Sequence, residues 1–273
     1  MAHDSPERYL KDWKLSQPRL LATTATSSVY LVARDGGRAV LKVLSDLGQK
    51  DESNAARALE YFGGAGAVRL LAQDKGAHLL EYAGGEDLKA VVQRGFDEQA
   101  ADIIGDVLNV LHGVKGAPPE LIPLKTWFRS LFRAASREGA EALYGRAAAA
   151  AEKLLALNED PRVLHGDIHH ENIRHSDRGW LALDPKGLYG PRLYDAANTL
   201  CNPSGLESLS ENEARLLNVS GILADKLNAA RPRLLAWVFA YAGLSAAWSA
   251  EDGQDPAHAL AIVRLAEPHM EKL

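Results

Sequence analysis

The hydrophobic pattern changes character about a third of the way along the chain. In "SSVYLVARDGGRAVLKVL" two β-rich runs, Val29 to Ala33 and Arg38 to Leu44, flank Asp35-Gly36-Gly37. Asp-Gly between alternating apolar runs predicts a hairpin. "DESNAARALEYF" then sets Ala55, Leu59 and Phe62 at helical spacing, and Gly63-Gly64 closes the run. "AVRLLAQDKGAHLLEYA" gives two further short apolar runs around a Lys75-Gly76 turn. The predicted order is strand, strand, helix, strand, strand.

After Gly84-Gly85 the period lengthens. Asp87 to Leu111 and Lys125 to Leu157 carry helical periodicity, most clearly in "GRAAAAAEKLLAL", and Pro118-Pro119 and Pro123 mark a loop between them. A polar stretch, "VLHGDIHHENIRHSDRGWLALDPKG", reads as short strands and loops. From Ser210 to Leu273 the pattern is helical again, with Pro232, Pro256 and Pro268 near boundaries. Trp237, Tyr241, Leu244 and Trp248 form a helical stripe read as core rather than as an aromatic wall. No internal repeat interrupts this order. The expected organisation is a β-rich lobe over 1–83, an antiparallel sheet with one helix, and a helical lobe over 84–273 carrying one polar insert.

Composition adds limits. A chain of 273 residues, 47% hydrophobic and 25% charged, suits one domain or two intimate lobes with a substantial core. Its 31 basic and 36 acidic residues give a net charge of -5, which argues against a nucleic-acid partner. Cys201 is the one cysteine, so no internal disulfide can form and a reducing cytoplasm is expected. The opening "MAHDSPERYLKDWKL" has no apolar signal-peptide core, and no run approaches the ~18 apolar residues of a membrane span.

The chemistry concentrates in "VLHGDIHHENI", Val163 to Ile173. A zinc reading of "HENIRH" fails on spacing, because His170 and His175 are five apart and ~140° apart around a helix. A solvated surface loop is the plain alternative, but apolar runs bracket the stretch, and a buried polar loop needs a reason to exist. Phosphoryl transfer supplies one. That chemistry needs a carboxylate to accept a hydroxyl proton, and an amide oxygen with a second carboxylate to hold Mg²⁺. Asp167 and Asn172 are five apart (172 − 167), and Asp184 follows twelve later (184 − 172), at the end of the apolar "WLALD".

With "AVLKV", "GAVRLL", "HGDIHHENI" and "DPKGLYGPRLYDAAN" in this order, the chain resembles the aminoglycoside phosphotransferases, and among them the streptomycin 6-kinase and hydroxyurea phosphotransferase group. The resemblance spans nearly the whole chain. It implies an α+β, bilobal, protein-kinase-like fold and an ATP- and Mg-dependent kinase. The acceptor would be a hydroxyl of a cationic, streptomycin-type small molecule, inactivated as an antibiotic. No nucleic acid, membrane or protein partner is implied.

Roles carry over by motif. Lys42 would pair with the α- and β-phosphates, with Glu52 as its ion-pair partner and Glu60 as the alternative. Glu81, Tyr82 and Ala83, in "LLEYAGG", would read adenine through their backbone. The phosphate-covering loop, "TTATSSVY", has no glycine, so Ser27 and Ser28 are the expected donors. Asp167 would be the catalytic base, and Asn172 and Asp184 the metal ligands. Asp195 would anchor the catalytic loop from below, and His165 would pack and hydrogen-bond within it. Lys186 would reach a phosphate or the substrate. Acids for a cationic acceptor would come from Glu207, Glu211, Glu251, Asp252 and Asp255. A kinase for another hydroxylated metabolite and a non-catalytic nucleotide-binding protein stay open. A protein kinase is disfavoured, because no Ala-Pro-Glu motif follows Asp184.

Overall fold

A computed structural model describes residues 5–137 and 141–273. The chain opens with α1 (Glu7–Asp12), β1 (Ser16–Thr23), β2 (Ser27–Arg34), β3 (Gly37–Leu44), α2 (Asp46–Phe62), β4 (Leu70–Asp74) and β5 (Ala77–Glu81). The strands form an antiparallel sheet in the order β1-β2-β3-β5-β4. Arg34 pairs with Gly37, so the predicted hairpin turns on Asp35-Gly36, both at positive φ (49° and 78°). That geometry matches the right-handed twist of the strands it joins. β1 escaped prediction. All eight of its residues are exposed, so an edge strand here buries no alternate face that could print a period of two.

Side-chain alternation sets the first functional position. Leu41 and Val43 of β3 enter a small core with Val32, Leu79 and Tyr9 of α1. Lys42, between them, must leave from the opposite face, where α2 lies. Helix α2 starts at a Ser45 cap whose hydroxyl accepts from Gly48 N at 3.2 Å and donates to Ala25 O at 2.8 Å. That hydroxyl ties the helix to the β1–β2 loop.

The remainder is mainly helical. Its elements are α3 (Leu88–Gln93), α4 (Asp97–Gly113), β6 (Ile122–Pro123), α5 (Leu124–Trp127), α6 (Arg129–Ala135), α7 (Ala142–Leu157), β7 (Pro161–Leu164), β8 (Ile173–Ser176), β9 (Gly179–Ala182), β10 (Leu188–Pro191), α8 (Tyr194–Leu200), α9 (Glu207–Ser210), α10 (Glu213–Lys226), α11 (Arg231–Glu251) and α12 (Ala257–Ala266). Each long predicted helical run is divided. Asp87 to Leu111 splits at Gly95 into α3 and α4, and Lys125 to Leu157 becomes α5, α6 and α7, with 138–140 outside the described residues. Helix α11 is buried nearly all round, and Trp237, Tyr241 and Leu244 are core within it, while Trp248 is partly exposed. No helix among the described residues is long and apolar enough to cross a membrane.

The polar insert forms the β8–β9 hairpin and a small β6-β10-β7 sheet. It is also stitched to the upper sheet lobe. Val68 N donates to Ala182 O at 3.0 Å, and Ala182 N donates to Gly66 O at 2.8 Å. Arg178 donates to Gly64 O, Ala67 O and the Glu81 carboxylate.

Candidate active site

Lys42 is 6% exposed and meets two carboxylates. Its Nζ donates to Glu52 Oε1 at 2.7 Å and to Asp184 Oδ1. Burial opposes its charge, but Asp184 and Glu52 more than offset that and hold its pKa above the ordinary lysine value. Asp184 is also partly buried, yet Lys42 and Lys186 pull its pKa below the ordinary carboxylate value. The ammonium and the Asp184 carboxylate are therefore both charged at neutral pH. Glu60, the alternative partner, instead accepts from Gln73 at 2.6 Å on the exposed side of α2. Eight residues of helix separate the two glutamates (60 − 52), about 12 Å along the axis, so they cannot both reach Lys42.

Asp184 has φ +64°, a left-handed conformation that costs a non-glycine residue on the order of 1 kcal/mol. Two backbone features set it there. Leu183 N donates to Asn172 O at 2.9 Å, which brings the end of β9 beside the loop that bears Asp167. Gly187, at φ +66°, lets the chain pass so close to α2 that a Cβ would sit 2.2 Å from Asn54 O. Asn172, at the end of a 3-10 turn (His170–Asn172), donates through Nδ2 to Asp167 O at 3.0 Å, which leaves its amide oxygen available. The Asn172 amide oxygen and the Asp184 carboxylate, at the two ends of the β8–β9 hairpin, are hard oxygen donors of the kind that would suit Mg²⁺.

The loop holding Asp167 rests on α8. Asp195, 1% exposed, accepts from His165 N at 2.9 Å and Gly166 N at 2.7 Å, and His112 Nε2 donates to it at 3.0 Å. His165 is fully buried, and burial lowers its pKa. Neutral, it donates from Nε2 to Leu183 O at 3.0 Å and accepts at Nδ1 from Asp167 N at 3.3 Å. One turn beyond Asp195, Asn198 Nδ2 donates to Asp167 Oδ1 at 2.9 Å, and Thr199 Oγ1 donates to Ile168 O at 3.2 Å. The sequence reading found Asp195 but missed Asn198 and Thr199. Their signal was present, since positions three and four after an inward helical residue share its face. His112, on another helix, had no local signal.

Other charges surround Asp167. Lys186 Nζ lies 3.2 Å from Oδ2, and Asp167 with Asp184 holds the lysine pKa up against its burial. His169 Nε2 stands 3.9 Å from Oδ1, while its Nδ1 bonds Glu171 Oε2 at 2.9 Å. Glu171 also receives Ser204 at 2.9 Å and Lys89 at 3.2 Å, and these contacts depress its pKa despite burial.

A cavity of about 520 Å³ opens between the sheet and the segment 82–85 that leads to α3, lined by Val29, Val40, Leu80, Tyr82, Ala83 and Leu183 among others. Its walls are mostly apolar, with Arg19, Glu81 and Arg174 at the lining too, and Leu183 connects it directly to Asp184. Ala83 N makes no hydrogen bond among the described residues, whereas Glu81 N already donates to Arg69 O at 2.9 Å. The Glu81 side chain is committed to Arg178 and Arg69 N. Tyr82 stacks under Arg38, whose guanidinium is 4.2 Å from the ring centre.

The glycine-free loop differs from expectation in detail. Ser27 and Ser28 are 2% and 5% exposed, beneath the tip rather than on it. The Thr24 hydroxyl accepts from Ser27 N at 3.1 Å and Thr26 N at 3.3 Å, so the loop satisfies its own N–H groups. Of the five acids suggested for a cationic acceptor, four are engaged. Glu211 meets His258 at 2.8 Å, Glu251 meets Ser130 and Arg133, Asp255 accepts from Ala257 N, and Glu207 accepts from Gly205 N. Asp252 is exposed and has no side-chain partner among the described residues.

Comparison with known proteins follows this geometry. Residues 12–253 match the family described as aminoglycoside/hydroxyurea antibiotic resistance kinase. A streptomycin 3''-kinase of Klebsiella pneumoniae is 39% identical over 254 residues, covering 89% of this chain and 92% of the relative. A streptomycin 6-kinase of Streptomyces griseus is 30% identical over 259 residues, covering 90% and 82%. The crystal structure of choline kinase LicA from Streptococcus pneumoniae has the same protein-kinase-like fold, with a TM-score of 0.65 at 15% identity over 97% of this chain and 96% of that one. The chain belongs to the aminoglycoside/hydroxyurea antibiotic resistance kinases and is a phosphotransferase that acts on hydroxyl groups.

Proposed function

We propose that the protein transfers the γ-phosphoryl group of ATP to a hydroxyl of a streptomycin-type aminoglycoside and thereby inactivates it. One observation carries the reaction: Lys42, Asp184 and Asp167 meet through Lys186 and Asn172, and Leu183, next to Asp184, lines a cavity of nucleotide size. The acceptor class rests on the named streptomycin kinases among its relatives.

The apolar walls take adenine, with Ala83 N as a backbone donor. Lys42, kept protonated by its two carboxylates, meets the α- and β-phosphates. Asn172 and Asp184 are the residues that would hold magnesium, which neutralises phosphate charge when bound. Asp167 orients the acceptor hydroxyl in line with the γ-phosphorus. The new O–P bond forms as the bond to the β–γ bridging oxygen breaks, ADP leaves with that electron pair, and the hydroxyl proton passes to Asp167. Lys186 offsets charge between Asp167 and the transferred group.

The test is ATP-dependent phosphorylation of streptomycin beside a panel of other aminoglycosides and sugars, with wild type and Asp167→Ala. Turnover of streptomycin that the variant loses by orders of magnitude supports the proposal. Preference for a sugar or another hydroxylated metabolite would overturn the acceptor and leave the phosphotransferase chemistry standing.

A further inference from the structure

The Asp167 carboxylate is held by a neutral amide that is itself held by a second amide. Asn198 is 4% exposed, and its Nδ2 donates to Asp167 Oδ1 at 2.9 Å. Asn202, one turn further along, donates from its own Nδ2 to Asn198 Oδ1 at 2.8 Å and to Asn198 O at 2.9 Å. A side-chain amide has two ends of opposite polarity, and each can bond only its complement. Asn202 supplies donors, so the Asn198 oxygen must face it and the Asn198 NH₂ must face the carboxylate. The reversed amide would set oxygen against the Asp167 oxygen and NH₂ against NH₂, two repulsions in a site with little water.

We propose that Asn198 is a positioning residue for Asp167, and that Asn202 acts through it by fixing which way its amide points. The pair selects one rotamer of the catalytic carboxylate. Oδ1 is spent on Asn198, and Oδ2 remains on the side of Lys186, where an acceptor hydroxyl has to arrive. A mere packing role would need neither polarity nor order in the chain Asn202, Asn198, Asp167. The backbone anchors from Asp195 and Thr199 hold the loop but leave the carboxylate free to rotate, so they cannot substitute.

The inference rests on the proposed role of Asp167, and the experiment separates the two. Turnover is measured with streptomycin and, in the same preparations, as slow MgATP hydrolysis with water as acceptor, in wild type, Asn198→Ala, Asn202→Ala and the double variant. Misplacing a catalytic group by about an ångström costs up to roughly 100-fold, so Asn198→Ala should lower kcat roughly 10- to 100-fold with KM for ATP within about threefold. Asn202→Ala should lower kcat by a smaller factor, and the double variant should match Asn198→Ala, because a residue acting through another adds nothing once that other is gone. Asn198→Ala with unchanged kcat, or losses that multiply in the double variant, would overturn the inference. Should Asn198→Ala not fold, the equal-sized Asn198→Asp replaces it, and a kcat near wild type there overturns the inference equally. If streptomycin is not turned over while MgATP is hydrolysed, the acceptor proposal fails and the comparison is decided on hydrolysis.

Discussion

Lys186 Nζ lies 3.2 Å from Asp167 Oδ2, on the oxygen that Asn198 leaves free. A lysine directly after the Asp184–Pro185 pair thus reaches back to the carboxylate of Asp167. The contact orients the Asp167 carboxylate, and in the proposed transfer the same ammonium is close to the moving charge. Replacing Lys186 by Ala should lower kcat by about 100- to 1,000-fold, the range for removal of one electrostatic stabiliser, with a smaller change in KM for ATP. Steady-state kinetics with both substrates varied provide the check. A loss confined to the ATP KM would move Lys186 to nucleotide binding alone.

The two glutamates of α2 should behave oppositely. Lys42→Met should reduce kcat/KM for ATP by about 100-fold or more, because it removes the buried cation shared by Glu52 and Asp184. Glu52→Gln should lose part of that, since Asp184 still holds the lysine. Glu60→Gln, whose side chain bonds Gln73 and no other described residue, should stay within about twofold of wild type. Equal losses from both glutamate variants would contradict the placement of α2.

Much of this was legible in the chain, and the exceptions have physical causes. Asp35-Gly36 announced its hairpin because few dipeptides tolerate two positive φ values in succession. Lys42 announced itself as a charge inside an apolar strand. The spacing of Asp167, Asn172 and Asp184 survives folding because one hairpin, β8–β9, separates them and returns the chain to its start. What stayed hidden was whatever lacked a period or a local neighbour. β1 is exposed along its length, His112 reaches Asp195 from another helix, and the Thr24 hydroxyl closes a loop where Ser27 and Ser28 were the expected donors. The Glu52 and Glu60 ambiguity could not be resolved in sequence because both follow good helical spacing, and only the azimuth of α2 over β3 distinguishes them.

Acid should weaken the fold through buried histidines. Burial beside Lys42 pushes His78 down to about 4 from 6.5, and burial, aided by Arg215, pushes His170 to about 3. Below pH 6.5 the unfolded chain binds protons that the folded chain refuses. Stability is therefore full above about pH 6.5 and falls as pH drops toward 4, by about 1.4 kcal/mol per pH unit for each group. Thermal midpoints at pH 7 and 4.5 should differ less in His78→Gln than in wild type. An equal difference would remove His78 from the account.

Gly187→Ala should destabilise the protein by about 2 kcal/mol or more, since the new Cβ meets Asn54 O at 2.2 Å in a left-handed conformation. Chemical denaturation reads this directly. Because the clash pushes α2 away from the segment that bears Asp184, activity should fall further than stability alone predicts at temperatures where the variant remains folded.

Ala182 is bonded on both sides of its peptide to the 66–68 backbone, donating to Gly66 O and accepting from Val68 N. It ends β9, two positions before Asp184. The residue works as a keystone, set into the sheet lobe and the helical part at once. Atoms beside a shared joint are displaced least when the two halves shift against each other, so Asp184, and Asn172 bonded to Leu183 N, hold their spacing best of all the site.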